Sequence, residues 1–450
     1  MAKLQKLTYR GWDGQERVLD FLGTMHPREG VHATVITGQN GSHKSTILRE
    51  LVAALVVPDY KGTLTRSSDS TPAEGPRTVI CASGSVADRF PPKESGGRRT
   101  EFDVPNYIYI GQRVGTNLLS KKLPLETAVA FALNASGHER FLWPFYGKAH
   151  KLAGIIPRID LEFKLRTTSK RDKKSSITLL DFVQKRAQGQ ELVKGQWHGM
   201  SQANAVRLTE QFSYDDFTDL DYVLSNKGRE PIRIALNDRD QFVSSALSPE
   251  AIRLGLLAGE LVLADAQVFS RHGGKSFSIY DLSSGEYHLL TTILALGFSL
   301  EDGAIVLIDE PENSLHPQWQ QEFMQTLFEM CAFMKDGHVV ISTHSPLIVS
   351  SAPEGSTVVD LSNTAEALQA TGFAFGASAD EILFEQFGIA SSRNPVVVEI
   401  IQQAVDLAER ELTGSLEFTS MTKRLKYVRE HLRSGDPLKD VIDALLEGAG

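Results

Sequence analysis

The segment Val35–Leu51, VITGQNGSHKSTILREL, constrains this chain more than any other. Ala33, Val35 and Ile36 form a short apolar run of the kind that makes a buried strand. The run ends in Gly38, Gln39, Asn40, Gly41, Ser42, His43, Lys44 and Ser45, after which Thr46 to Leu55 carries helical apolar spacing. A strand, a glycine turn ending in Lys-Ser and a helix together form the context of a phosphate-binding loop. Backbone N–H groups of such a turn converge on phosphate oxygens, and the helix N-terminus adds positive potential. The candidate phosphate contacts are therefore Gly38, Asn40, Gly41, Ser42, His43, Lys44, Ser45 and Thr46. Lys44 would neutralise phosphate charge, and Ser45 would offer a hydroxyl to Mg²⁺. The usual pattern has glycine directly before the lysine. Here His43 stands there, and its Cβ is expected to fit only if φ is negative.

The 450 residues, 41% of them hydrophobic and 23% charged, are enough for two or three structural units. A net charge of −9 argues against a generally basic coat for nucleic acid. Cys81 and Cys331 both sit in apolar runs and read as reduced core residues of a cytoplasmic protein. The first dozen residues, MAKLQKLTYRGW, lack the apolar core of a signal peptide, and no apolar run is long enough to span a bilayer, so no membrane partner is expected.

Further along, the apolar run Tyr107–Ile110 leads directly into Gln112. From Leu123 to about residue 259 the spacing turns mainly helical, with helices expected over 127–134, 177–187, 201–212 and 248–262, and with one strand over 159–165. Lys164, Arg166, Lys170, Arg171, Lys173 and Lys174 make a short basic segment. Strands over 266–269 and 276–280 precede Asp281-Leu282-Ser283-Ser284-Gly285-Glu286, which opens an apolar helix. Small residues there leave N–H groups able to hold an anion, and Ser283 with Glu286 also suits a helix cap. The run AIVLIDE delivers Asp309 and Glu310 at a buried strand's end. One carboxylate there can orient Mg²⁺, and the other can polarise a water. A last apolar strand, Val339–Ser342, ends in Thr343-His344-Ser345-Pro346, where His344 can hydrogen-bond a phosphate. Beyond residue 372 two or three helices are expected, one of them carrying Lys423, Arg424, Lys426, Arg429 and Arg433.

The order of these motifs resembles the ABC ATPase superfamily, and within it the RecF/SMC-like branch; DEPENSLHP and STHSP are close to that branch's wording. VICASGSVADRFP, YIYIGQR, DLSSGEYHLL, IDEPENSLHPQWQ and SADEILFEQFGIASSRN look like the PtuA-type ATPases of Septu and retron anti-phage systems. The resemblance implies an α/β ABC-type P-loop ATPase head, a mixed sheet with flanking helices, with a largely helical insertion and a helical C-terminal extension. The divisions fall at 1–122 and 263–365 for the ATPase lobe, 123–262 for the insertion and 366–450 for the helical tail. ATP and Mg²⁺ are the implied cofactors. Gln112 would contact metal or water, Asp309 would join Ser45 on Mg²⁺, Glu310 would be the general base and His344 the γ-phosphate sensor. Ser283, Ser284, Gly285 and Glu286 match the signature segment that completes a second protomer's site, and 314–316 would join the two sites. A homo-dimer or higher oligomer follows from the resemblance. Ser284, where glycine is usual, and His43 add bulk near the phosphates.

No nuclease arrangement is found in the sequence, so the implied effector is a separate protein, an HNH-type nuclease, with nucleic acid (DNA or a retron RNA-DNA) as a further candidate partner. Two other readings stay open: a RecF/SMC-like DNA-repair ATPase, and a nucleotide-locked scaffold with little turnover.

Overall fold

The computed structural model describes residues 3–11, 14–23, 29–38, 41–57, 59–67, 78–95, 98–115, 118–134, 144–166, 177–190, 200–225, 231–237, 241–243, 247–361, 367–372, 395–410, 415–431 and 437–447. Gln39 and Asn40, the basic residues 170–174, Arg433 and the tail motif 378–394 lie outside the described residues.

The central sheet has seven strands in the order Thr371–Gly372, Thr357–Asp360, Gly30–Thr37, Asp336–Ser342, Ile305–Asp309, Val79–Ser83, Tyr107–Ile110. All pairs are parallel except the first. A parallel sheet must be covered on both faces, and alternate residues of each strand supply the two cores. Ile305, Leu307, Val340, Val79 and Cys81 pack with Ile47, Leu48 and Leu51 of helix Lys44–Val56. Val306, Ile308, Val339, Ile341 and Ile80 pack on the other face, with helices Leu123–Ala132, Ser284–Ser299 and Pro317–Cys331. Helix Ser284–Ser299 is buried almost all round, which its lack of a polar face requires. The result is an α/β architecture, a mainly parallel sheet with flanking helices, as the sequence leads one to expect. Parallel registry also brings the carboxyl ends of these strands to one edge, with Asp309 opposite Ser342 on one side and Ser83 on the other.

A smaller sheet, in the order Ala367–Gln369, Glu16–Asp20, Lys3–Arg10, Thr63–Ser67, accompanies the N-terminal half. The stretch 123–262 is rich in helices, as its spacing implies, and its strands join a five-stranded antiparallel sheet that continues past residue 262: Gln241–Val243, Ile232–Asn237, Ile155–Leu165, Leu261–Ser270, Ser276–Ser278. The helical reading of 248–262 ends early, at Ala258, because Gly259 takes a left-handed cap (φ 74°) and Leu261 starts a strand. Helices Pro144–Leu152 and Tyr214–Ser225 and strand Ile232–Asn237 were not legible as separate elements.

The chain forms two compact units, Met1–Ala377 and Ser378–Gly450. The second contains helices Pro395–Glu409, Leu416–His431 and Pro437–Glu447 around Ile400, Ala404, Phe418, Leu425 and Ile442. Cys81 and Cys331 are buried free thiols. Among the described residues, no helix is long and apolar enough to cross a membrane.

Candidate active site

The phosphate-loop residues follow strand Gly30–Thr37 at the sheet's carboxyl edge. Gly38 (φ 146°) and Gly41 (φ 86°) take backbone conformations that favour glycine. A Cβ on Gly38 would come within 2.6 Å of Ser42 Oγ. Lys44 begins the helix and is only 4% exposed, and its Nζ donates to the Gly38 carbonyl at 2.9 Å. Burial pulls the Lys44 pKa down, against the opposing pull of Glu310, Glu312 and Asp309. His43 corrects the expectation of a negative φ: it sits in the left-handed region at φ 68°, ψ 21°. That region is sparsely open to side chains, and histidine is among the residues that enter it more often, at a cost of about 1–2 kcal/mol.

Several observations fit a bound triphosphate. The start of helix Lys44–Val56 has no side-chain cap and no acidic residue in its first turn, so its positive end is open to an anion. Ser42 Oγ is buried with no hydrogen-bond partner among the described residues. The Thr46 hydroxyl, by contrast, is engaged away from the loop: its Oγ1 accepts from Arg89 Nη1 at 3.3 Å.

The acidic strand end lies against this loop. Ser45 Oγ donates to Asp309 Oδ1 at 3.2 Å, and Ser342 Oγ donates to the same oxygen. Asp309 is 2% exposed, and burial raises its pKa to about 6 despite those two donors. A buried carboxylate next to a hydroxyl suits a hard cation whose remaining ligands are phosphate oxygens and water. Among the described residues, no group of three or more His, Cys, Asp or Glu is placed to hold a metal ion by itself. Glu310 has φ 50°, and its Oε1 lies 3.0 Å from His344 Nε2 while Oε2 accepts from Asn313 Nδ2 at 2.8 Å. The bond from His344 is the main cause of a lowered Glu310 pKa, and the same bond raises that of His344. Glu310 is therefore ionised at neutral pH.

Lys44, Ser45, Asp309, Glu310 and His344 thus gather at one edge. Gln112 follows edge strand Tyr107–Ile110, two strands along the sheet from Asp309, with its carbonyl accepting from Ser120 N at 2.7 Å. In the signature segment, Ser283 Oγ accepts from Glu286 N at 3.3 Å and donates to Glu286 Oε2 at 2.7 Å, while Ser283 N donates to that oxygen at 2.9 Å. This reciprocal cap leaves Ser283 and Ser284 exposed, and Gly285 is pressed against the turn: a Cβ there would lie 2.4 Å from Ser314 O.

Supporting residues escaped sequence reasoning. Ser342 binds Asp309, Asn313 binds Glu310, and Glu312 Oε1 accepts from His344 N at 2.8 Å. Gly84 lies where a Cβ would come 2.1 Å from the Glu310 carbonyl. Only Asn313, three residues after Glu310 in a tight turn, carried a local signal.

The model of the family described as "AAA domain, putative AbiEii toxin, Type IV TA system" matches residues 87–350. The chain is 32% identical over 123 residues to "Retron Vc95 probable ATPase" of Vibrio cholerae serotype O1 biovar El Tor, a match covering 24% of this chain and 23% of that protein. It is 36% identical over 73 residues to "Protein ea59" of Escherichia phage lambda, covering 16% of this chain and 14% of that protein. The chain therefore spans less than a quarter of either curated relative. Among solved structures, the SMC head domain from Thermotoga maritima overlays at 14% identity and a TM-score of 0.28, over 83% of this chain and 99% of that one.

Proposed function

The chain belongs to that AAA-domain family, and from this premise we propose that it binds and hydrolyses ATP between two head-to-tail copies and thereby regulates a separate effector, a nuclease of HNH type, in anti-phage defence. The observation that carries the reading is the bonded edge itself: Ser45 to Asp309 at 3.2 Å beside Glu310 to His344 at 3.0 Å, with Lys44 buried next to both pairs. The retron relative supports the defence setting. Nucleic acid, DNA or a retron RNA-DNA, belongs to the same proposal as a further partner.

In this reading, the open helix start, Ser42 and Lys44 bind the triphosphate. Ser45 and Asp309 hold Mg²⁺, with Gln112 near it; the ion, when bound, neutralises charge on the phosphate oxygens. Glu310 accepts a proton from the attacking water, and His344, steadied by Glu310 and Glu312, donates to the γ-phosphate. Ser283, Ser284, Gly285 and Glu286 of a second copy close the nucleotide from the far side. His43 in the loop and Ser284 at the exposed helix start add bulk near the phosphates and favour a second reading, a nucleotide-locked scaffold with little turnover.

Phosphate release, ATP binding and particle mass, measured together, test these readings. Glu310→Gln is expected to keep ATP binding, lose about 100-fold or more in turnover and double its mass with ATP. Lys44→Ala is expected to lose nucleotide binding and the mass change. Unaltered ATP affinity in Lys44→Ala would overturn the site. Equal, very slow turnover in wild type and Glu310→Gln would select the scaffold.

A further inference from the structure

Beside the phosphate loop, but separate from it, the head contains a cleft of about 520 Å³. Its lining includes Arg49, Arg89, Phe90, Phe102, Glu101 and Arg113. None of them belongs to the proposed ATP site. Arg49 projects from helix Lys44–Val56 and is exposed. Arg89 follows strand Val79–Ser83, is exposed, and reaches Thr46. Arg113 is fixed more deeply: Nη2 donates to Asp88 Oδ1 at 3.2 Å and to the Phe90 carbonyl. Asp88 is held in turn by Tyr109 OH at 2.7 Å. Arg113 Nε is buried without a hydrogen-bond partner among the described residues. Thr100 Oγ1 donates to the Pro92 carbonyl at 2.6 Å, which ties together the two chain segments that form the walls.

We propose that this cleft is a second ligand site that takes a nucleotide unit, a flat ring carrying a phosphate, either free or as part of a single strand. Four features of the cleft select that chemistry. Its volume falls within the few hundred to about 1,000 Å³ typical of small-molecule sites. Phe102 and Pro92, both partly exposed, give it an apolar wall suited to a ring, and stacking on an aromatic face tolerates any base. Arg49 and Arg89 offer planar, permanently charged forks at the mouth, which match phosphate oxygens. Glu101, the lone acid of the lining, accepts from the amino or hydroxyl groups that a base and sugar present. Arg113 and Asp88 neutralise one another, so the mouth's excess positive charge comes from Arg49 and Arg89.

The site does not depend on the ATPase reading, and its test separates the two. Binding is measured on the full chain in the presence of saturating ATPγS and Mg²⁺, and again in Lys44→Ala. The probes are the four ribonucleoside monophosphates by calorimetry and a labelled ten-nucleotide dT strand by anisotropy, at near-physiological salt. Saturable binding of a monophosphate, weakened at least tenfold by Arg49→Ala and by Phe102→Ala, identifies a free nucleotide as the occupant. Binding of the strand alone, weakened in the same way, identifies nucleic acid. Arg49→Ala changes only an exposed side chain, so it keeps the test meaningful if Phe102→Ala misfolds. Absence of binding by every probe up to about 1 mM, a very weak affinity on any scale, or binding untouched by Arg49→Ala, overturns the proposal.

Discussion

Asp309 illustrates how single residues at the site trade stability for readiness. Its folded pKa of about 6 exceeds the ordinary 3.8 because burial opposes the charge. The folded state therefore disfavours the ionised form, and this group's penalty is present at pH 7 and relieved as pH falls through 6 toward 4. Asp309→Asn keeps an acceptor for Ser45 and Ser342 but removes the buried charge. In the absence of nucleotide and metal it is expected to raise unfolding stability at pH 7.5 by up to about 3 kcal/mol, one pKa unit being about 1.4 kcal/mol. It should also weaken Mg²⁺-dependent ATP binding about tenfold or more. Urea unfolding and calorimetry check both parts, and a less stable apo variant would contradict the argument. The left-handed non-glycine residues among those described are His43, Glu310 and Ser314, all in the turns of this site. Such conformations persist only where surrounding contacts enforce them.

At the scale of elements, the start of helix Ser284–Ser299 and the turn Pro311–His316 act as one assembly. Gly285 abuts the Ser314 carbonyl, Gln320 Nε2 donates to Leu315 O at 3.1 Å, and Ser345 Oγ donates to Gln320 Oε1 at 2.6 Å. The chain of contacts runs from the signature segment to the residue after His344. Gly285→Ala would place a methyl against backbone that is itself in a left-handed conformation, so relief is costly. The expected loss is about 1–3 kcal/mol of stability, together with reduced turnover while Lys44-dependent ATP binding persists. Thermal unfolding and phosphate release of this variant check it; wild-type values for both would show that the turn yields freely.

At the scale of the molecule, a buried polar seam joins one face of the central sheet to strand Lys3–Arg10 of the smaller sheet. His32 and His338 are register partners on neighbouring parallel strands, with ring centroids 4.9 Å apart. His338 Nδ1 accepts from Leu4 N at 3.0 Å, its Nε2 lies 2.9 Å from Thr34 Oγ1, and His32 Nε2 lies 3.1 Å from Thr357 Oγ1. Burial, with Lys3 nearby, lowers the pKa of His32 to about 4 and holds that of His338 well below its ordinary value. The unfolded chain takes up protons near pH 6.5 while the folded seam stays neutral. Stability is therefore expected to fall as pH drops from 6.5 toward 4. Urea midpoints at pH 7.5 and pH 5 measure this, and His32→Gln should flatten the dependence by removing one of the two groups.

The sequence alone determined the local chemistry: a strand, turn and helix around Lys44, a capped helix start at Ser283, a buried strand ending in Asp309 and Glu310, and another ending before His344. Each is encoded within a dozen residues by apolar periodicity and by glycine or cap positions, so each is legible without a fold. Only the tertiary structure decided what meets what. Ser342 on Asp309, Gly285 on Ser314, the antiparallel pairing of Ile155–Leu165 with strands 232–237 and 261–270, and the cleft between Arg49, Arg89 and Arg113 all join residues far apart in the chain. So did the backbone of His43, whose left-handed turn is set by where the loop must deliver Lys44 and not by the histidine's own preference. Such contacts follow from sheet order and register, which fix the meeting of distant residues and leave no periodic trace in the residues themselves.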